Sequence, residues 1–164
     1  MNSKVMALIL FFISSLSLSA QTAAELDALL VAETVSVAAA ARFVLDAVEL
    51  LPPGLSGNAA ESAAYDLALA KGWVKAPASS DITLKETAFL IMGAFGFKGG
   101  LLYSLLRNPR YAYREMIYRR IIQGRADPAM TISGQRLLRI IGRALNYSGE
   151  EERLDELLSA GAIH

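Results

Sequence analysis

The chain reads as an all-α domain of three divergent helix-pair repeats of about 48 residues, closed by a short C-terminal capping helix. Three observations predict this. Ala and Leu, both good helix formers, dominate the composition. Period-two alternation of β-branched residues is nearly absent, while apolar residues recur at three- and four-residue spacings. Several positions also repeat at one offset, which is the signature of stacked supersecondary units.

The first residues read differently from the rest. Met1-Asn2-Ser3-Lys4 carries one positive charge, Val5 to Ile13 is apolar, and Leu18-Ser19-Ala20 is a small-residue exit. Those are the three parts of a secretory signal, so residues 1–20 are expected to be a signal peptide cut before Gln21. The run breaks into serines well short of the ~20 apolar residues a membrane span needs, so no transmembrane span is expected after cleavage. Cysteine is absent, which excludes disulfides, thiolate chemistry and the usual lipid anchor of bacterial lipoproteins. The remaining 144 residues suffice for one domain with a real core.

The elements follow in order. Thr22 with Glu25 makes a capping box for a first helix through Leu26, Leu29 and Leu30. Glu33-Thr34 restarts the chain into an Ala-rich helix ended by Pro52-Pro53-Gly54. A third helix runs from about Ala59 to Lys71, and Gly72 stops it in the left-handed conformation. Thr83, with Glu86 three residues on, opens a fourth. Gly93, Gly96, Gly99 and Gly100 interrupt the pattern, and Leu101 to Leu106 forms a short apolar helix ending at Asn108-Pro109. Arg110 or Tyr111 begins a helix stopped by Ile121-Ile122-Gln123-Gly124. Thr131 opens another, expected to end near Asn146. Ser148 and Glu151 start the acidic terminal helix, so residues 21–147 form the repeat domain and 148–164 the C-terminal helix and tail.

Thr34, Thr83 and Thr131 begin comparable helices, 49 and 48 residues apart. Tyr65 and Tyr113, and Phe89-Leu90 and Leu137-Leu138, share the offset of 48. Ile82-Thr83-Leu84-Lys85-Glu86-Thr87-Ala88-Phe89-Leu90-Ile91, with the Ile-Ile-x-Gly stop and Asp127-Pro128, resembles the S-layer homology repeat of bacterial envelope proteins. The resemblance covers roughly residues 22–146 and implies a helical scaffold at the cell envelope that binds cell-wall polymer. It marks Thr83 and Glu86 as candidate ligand-binding residues. The family's arginine after the threonine is replaced by Val35, Leu84 or Ile132, and its glutamate is kept only as Glu86, with Val37 and Gly134 at the other two places. The family's polymer site is therefore not carried over intact.

Charge sharpens the functional expectation. Net charge is zero, but residues 21–97 hold nine acidic and four basic residues, 98–147 hold two and ten, and 148–164 hold five and one. The central section combines arginine with tyrosine: Arg110, Tyr111, Arg114, Tyr118, Arg119 and Arg125 are candidate ligand-binding residues. Tyrosine stacks on sugar rings and arginine forks onto carboxylate or phosphate. Arg136, Arg139 and Arg143 form a second row at helical spacing. The expected partner is an anionic cell-wall or outer-membrane glycan, the alternative an envelope protein; nucleic acid is not expected of an exported chain. The competing reading is that the tyrosines pack between repeats while the arginines pair with the acids from Glu150 to Glu156. The single histidine, His164, can build neither a metal site nor a triad. No catalytic residue, metal or cofactor is expected, and the chain reads as a non-enzymatic, exported envelope protein.

Overall fold

A computed structural model describes residues 23–124 and 127–161; the expected signal segment, Thr22, Arg125 and His164 lie outside the described residues. Among the described residues, seven helices account for the fold: α1 (23–31), α2 (Val37–Ala47), α3 (Gly57–Ala70), α4 (Leu84–Ala94), α5 (Leu101–Leu106), α6 (Pro109–Tyr118) and α7 (Gly134–Gly161). The chain is all-α. Among the described residues, extended pairing is limited to two isolated bridges, Ser36 with Asp81 and Thr83 with Thr131. No helix there is long and apolar enough to cross a membrane.

Three helices, α2, α4 and α7, pack against one another in the middle, with α3 against α2 and α6 against α4. Their apolar faces supply the core: Leu45 of α2, Leu90 and Ile91 of α4, and Leu137 and Ile140 of α7 are all at most 2% exposed. Alanines let the outer helices approach closely. Ala64 on α3 and Ala112 on α6, 48 residues apart, are both fully buried.

Each central helix begins the same way, after a buried aliphatic residue and a hydroxyl cap. The pairs are Val35-Ser36, Ile82-Thr83 and Ile132-Ser133, and the three aliphatic residues are at most 2% exposed. The Ser36 side chain accepts from Ala39 N at 3.1 Å. Thr83 and Glu86 form a reciprocal capping box, and Ser133 Oγ accepts from Arg136 N at 3.4 Å. The serines therefore correct two sequence expectations. Thr34 and Thr131 precede the caps by two residues and are exposed, because burying Val35 and Ile132 carries the chain past them before the helix starts.

The free N–H groups at these helix starts are satisfied from elsewhere in the chain. Val37 and Ala38 N donate to Ser80 O and Ala78 O at 2.9 and 3.0 Å. Leu84 and Lys85 N donate in the same pattern to Met130 O and Pro128 O, both at 2.9 Å. Gly134 N donates to Ala32 O at 3.0 Å. The start of α2 rests on the loop before α4, α4 on the loop before α7, and α7 on the turn after α1.

The helix ends also recur. A left-handed residue follows α2, α3, α4 and α6: Glu49, Gly72, Gly96 and Arg120, with φ of 55°, 70°, 65° and 58°. In each, the next N–H reaches back to the last turn, as Trp73 N does to Ala68 O (2.8 Å) and Ile121 N to Met116 O (3.0 Å). Gly72 is the stop the sequence predicts. The stop of α6 is Arg120 rather than Gly124, because burial of Ile121 and Ile122 fixes the turn one residue before them.

The C-terminal segment brings a further correction. No separate capping helix begins at Ser148; α7 continues unbroken from Gly134 to Gly161, 28 residues. A glycine such as Gly149 costs a helix only about 1 kcal/mol, and Tyr147, edge-on to Phe97 with centroids 5.4 Å apart, anchors the helix where the sequence suggested a break.

Candidate functional site

The α6 candidates divide by helical face. Ala112 and Met116 face the core, fully buried. Arg110, Arg114 and Tyr118, spaced by four, are exposed, Tyr118 at 84%. Tyr111 and Tyr113 are half-buried and pack against the core.

Arg119 points the other way. Its side chain is only 9% exposed and pairs with Glu115 one turn back at 3.1 Å and with Glu151 of α7 at 3.3 Å. The guanidinium stacks over the Phe97 and Tyr147 rings, 5.6 and 5.0 Å from their centroids, and donates to Lys98 O. Glu115 also accepts from Gly100 N at 3.1 Å, tying the start of α5 to the same cluster. Burial, followed by a hydrogen bond to Glu151, pushes the Tyr147 phenol above its ordinary value, with Arg119 opposing. Arg119 thus joins α6 to α7 from inside. Thr83 and Glu86 are likewise committed to each other: Thr83 N donates to Glu86 Oε2 at 2.9 Å and the hydroxyl to the same oxygen.

An open basic site lies on α7. Arg136, Arg139 and Arg143 line a cavity of about 260 Å³ with Ile122, Gln123 and Ile140. Spacings of three and four put the arginines on one face, and Ile140 and Ile122 form an apolar floor. Their internal contacts are weak ones to neutral acceptors. Arg136 reaches Met130 Sδ at 3.3 Å, Arg139 the Gln135 carbonyl at 3.3 Å, and Arg143 the Ile121 carbonyl at 3.4 Å. No carboxylate among the described residues pairs with any of them, whereas Arg42 and Arg119 take theirs. Three guanidinium groups on an open face suit an extended anion, since each can fork onto a carboxylate or phosphate. The sequence makes this row visible by spacing but does not show that Ile121 and Ile122 close one side of it.

Arg42 makes a different kind of site. It is 3% exposed, bonded to Glu25 of α1 and 3.6 Å from Asp46, with its guanidinium 4.8 Å from the Phe43 centroid. Glu25 also accepts from Gly57 N at 2.7 Å. This joins α1, α2 and the start of α3, and its charges are internally paired. No group of side chains suited to hold a metal ion gathers among the described residues.

No family model, no curated protein and no solved structure matches the chain.

Proposed function

We propose that the chain is an exported, non-enzymatic module of the cell envelope, built from three units resembling S-layer homology repeats, that binds anionic cell-wall or outer-membrane polymer through the arginine row of α7. The observation that carries this reading is the open cavity lined by Arg136, Arg139 and Arg143, with no carboxylate among the described residues paired to them. The signal-like N-terminus supports the address. The three matching aliphatic–hydroxyl starts, spaced by 47 and 50 residues at Ser36, Thr83 and Ser133, support the three units.

The test is co-sedimentation with purified cell wall and outer-membrane material. Wild type is expected to be retained and to elute as salt rises, since exposed charge pairs are screened within ~10 Å at 0.1 M salt. Replacing Arg136, Arg139 and Arg143 together by Ala abolishes retention, whereas Arg110→Ala with Arg114→Ala weakens it less. Equal retention of the α7 variant and wild type overturns the assignment to α7.

A protein scaffold is the second reading, favoured by Leu105 and Leu106, 78% and 52% exposed and adjacent on α5. Binding through these leucines would strengthen or hold as salt rises.

A further inference from the structure

A cavity of about 350 Å³ lies between the end of α3, the C-terminal half of α4 and α5, and shares no lining residue with the α7 arginine site. Its walls are aromatic and its charged groups are all cations. Phe89, Met92, Phe97 and Tyr103 are buried beneath it, at most 9% exposed, and Trp73 stands half-buried at its side. Lys71, Lys75, Lys98 and Arg107 complete the lining, and no carboxylate or side-chain amide belongs to it.

Two glycines hold the aromatic walls in place. A Cβ on Gly93 would lie 2.3 Å from the Trp73 ring, and one on Gly99 would lie 2.3 Å from the Tyr103 ring. The indole therefore lies directly on the α4 backbone and the phenol on the strap before α5. Phe89 meets Tyr103 edge-on, with centroids 6.4 Å apart. Such a cavity is organised before any ligand arrives, which lowers the ordering cost of binding.

The electrostatics are one-sided. The C-termini of α3 and α4 both end here, each worth about −0.5 of a charge at most. Four cations outweigh them, so the cavity favours an anion. Burial pushes the Tyr103 phenol above its ordinary value, with Arg107 opposing, so its hydroxyl remains a donor. Ser104 Oγ is already spent on Gly99 O at 3.0 Å. A sugar needs side-chain acceptors for its hydroxyl groups, and the lining offers neither carboxylate nor amide. A flat apolar ring needs only the aromatic walls.

We infer that this cavity is a second binding site, specific for a small aromatic anion: a planar apolar ring seated between Trp73 and Tyr103, its carboxylate or phosphate held by Lys71, Lys98 and Arg107. A volume of about 350 Å³ is near the small end of ligand clefts, which fits a single ring. The site is independent of the α7 reading.

Trp73 is the only tryptophan in the chain, so its emission reports on this cavity alone. The full chain is titrated with benzoate, phenyl phosphate, benzyl alcohol, acetate and glucuronate. Benzoate or phenyl phosphate is expected to change Trp73 emission saturably, with half-saturation near ~1 mM, and whichever binds tighter identifies the head group. Benzyl alcohol and acetate, each lacking half of the ligand, bind at least about tenfold more weakly, as does glucuronate. Lys71→Gln, Lys98→Gln and Arg107→Gln combined, at exposed positions and with an unchanged circular dichroism spectrum, lower affinity about tenfold or more. The α7 triple variant titrates like wild type. The inference is overturned by the absence of a saturable response to both aromatic anions, by equal binding of benzyl alcohol, by tighter binding of glucuronate, or by loss of the response in the α7 variant.

Discussion

Gly134, the first residue of α7, donates its N–H to the carbonyl of Ala32, just past α1, at 3.0 Å. The two residues are 102 positions apart, and their bond seats the last central helix on the first turn of the structure. The approach is so close that a Cβ on Gly134 would lie 1.7 Å from Leu29 O. Gly134→Ala must push α1 and α7 apart, at a cost above the ~1–3 kcal/mol usual for overpacking a core. A melting temperature lowered by at least ~5 °C for a domain of this size is expected. An unchanged melting temperature in calorimetry would refute the contact.

The hydroxyl caps give a test of register. Ser36→Ala, Thr83→Ala and Ser133→Ala should each cost about 1 kcal/mol in urea unfolding. Thr34→Ala and Thr131→Ala, exposed and outside the caps, should stay within about 0.5 kcal/mol of wild type. The reverse order would place the helix starts at the threonines.

Arg120 pays for a turn that glycine makes without strain. Its φ of 58° costs a residue with a Cβ about 1 kcal/mol or more. Arg120→Gly is expected to raise the urea midpoint, while Gly72→Arg, at the matching stop of α3, lowers it.

The arginines of α6 differ in kind. Arg119→Ala leaves Glu115 and the rings of Phe97 and Tyr147 without their partner. Because Glu151 is half exposed, a loss of ~1–3 kcal/mol is expected, below the range for a fully buried pair. Arg114→Ala, on the exposed face, changes stability by less than about 0.5 kcal/mol. Thermal unfolding of the two variants separates the structural arginine from the solvent-facing one.

Alkaline pH adds a further expectation. Tyr103 and Tyr147 both have raised phenol values, chiefly through burial. The folded state holds these protons more tightly than the unfolded chain. Their contribution is fully present below the unfolded value of ~10 and is lost as pH rises through the folded value. Stability should fall above about pH 10, and Tyr103→Phe with Tyr147→Phe should flatten that fall in a pH series of chemical unfolding.

Much of the helical layout is legible in the chain because local rules and burial agree there. Thr83 with Glu86 is a capping box in sequence and in space, and Gly72 stops α3 where its type predicts. Where two signals compete, burial decides. Thr34 caps as well as Ser36 by type, but Val35 must be buried first. Gly124 looks like the stop of α6, yet Ile121 and Ile122 need the turn at Arg120. Ser148 and Glu151 imitate a helix start, but α7 runs through them, held there by Tyr147 on Phe97, 50 residues away in sequence, and by Glu151 paired with Arg119. The α7 arginine row shows through its spacing. The Trp73 cavity does not, since its cations are scattered from Lys71 to Arg107 and only the fold gathers them.

The chain of carbonyl supports beneath the three central helices has a consequence for how the domain forms. In an open stack of repeats, each unit contacts only its neighbours. Here α2 lacks two acceptors until residues 78–80 arrive, α4 lacks two until residues 128–130 arrive, and α7 closes back onto residue 32. A chain emerging from its N-terminus gains its last support only after Gly134 has appeared. Closure late in synthesis keeps earlier segments unlocked, and removal of the chain from residue 127 onward would also cost α4 the two carbonyl acceptors at its start.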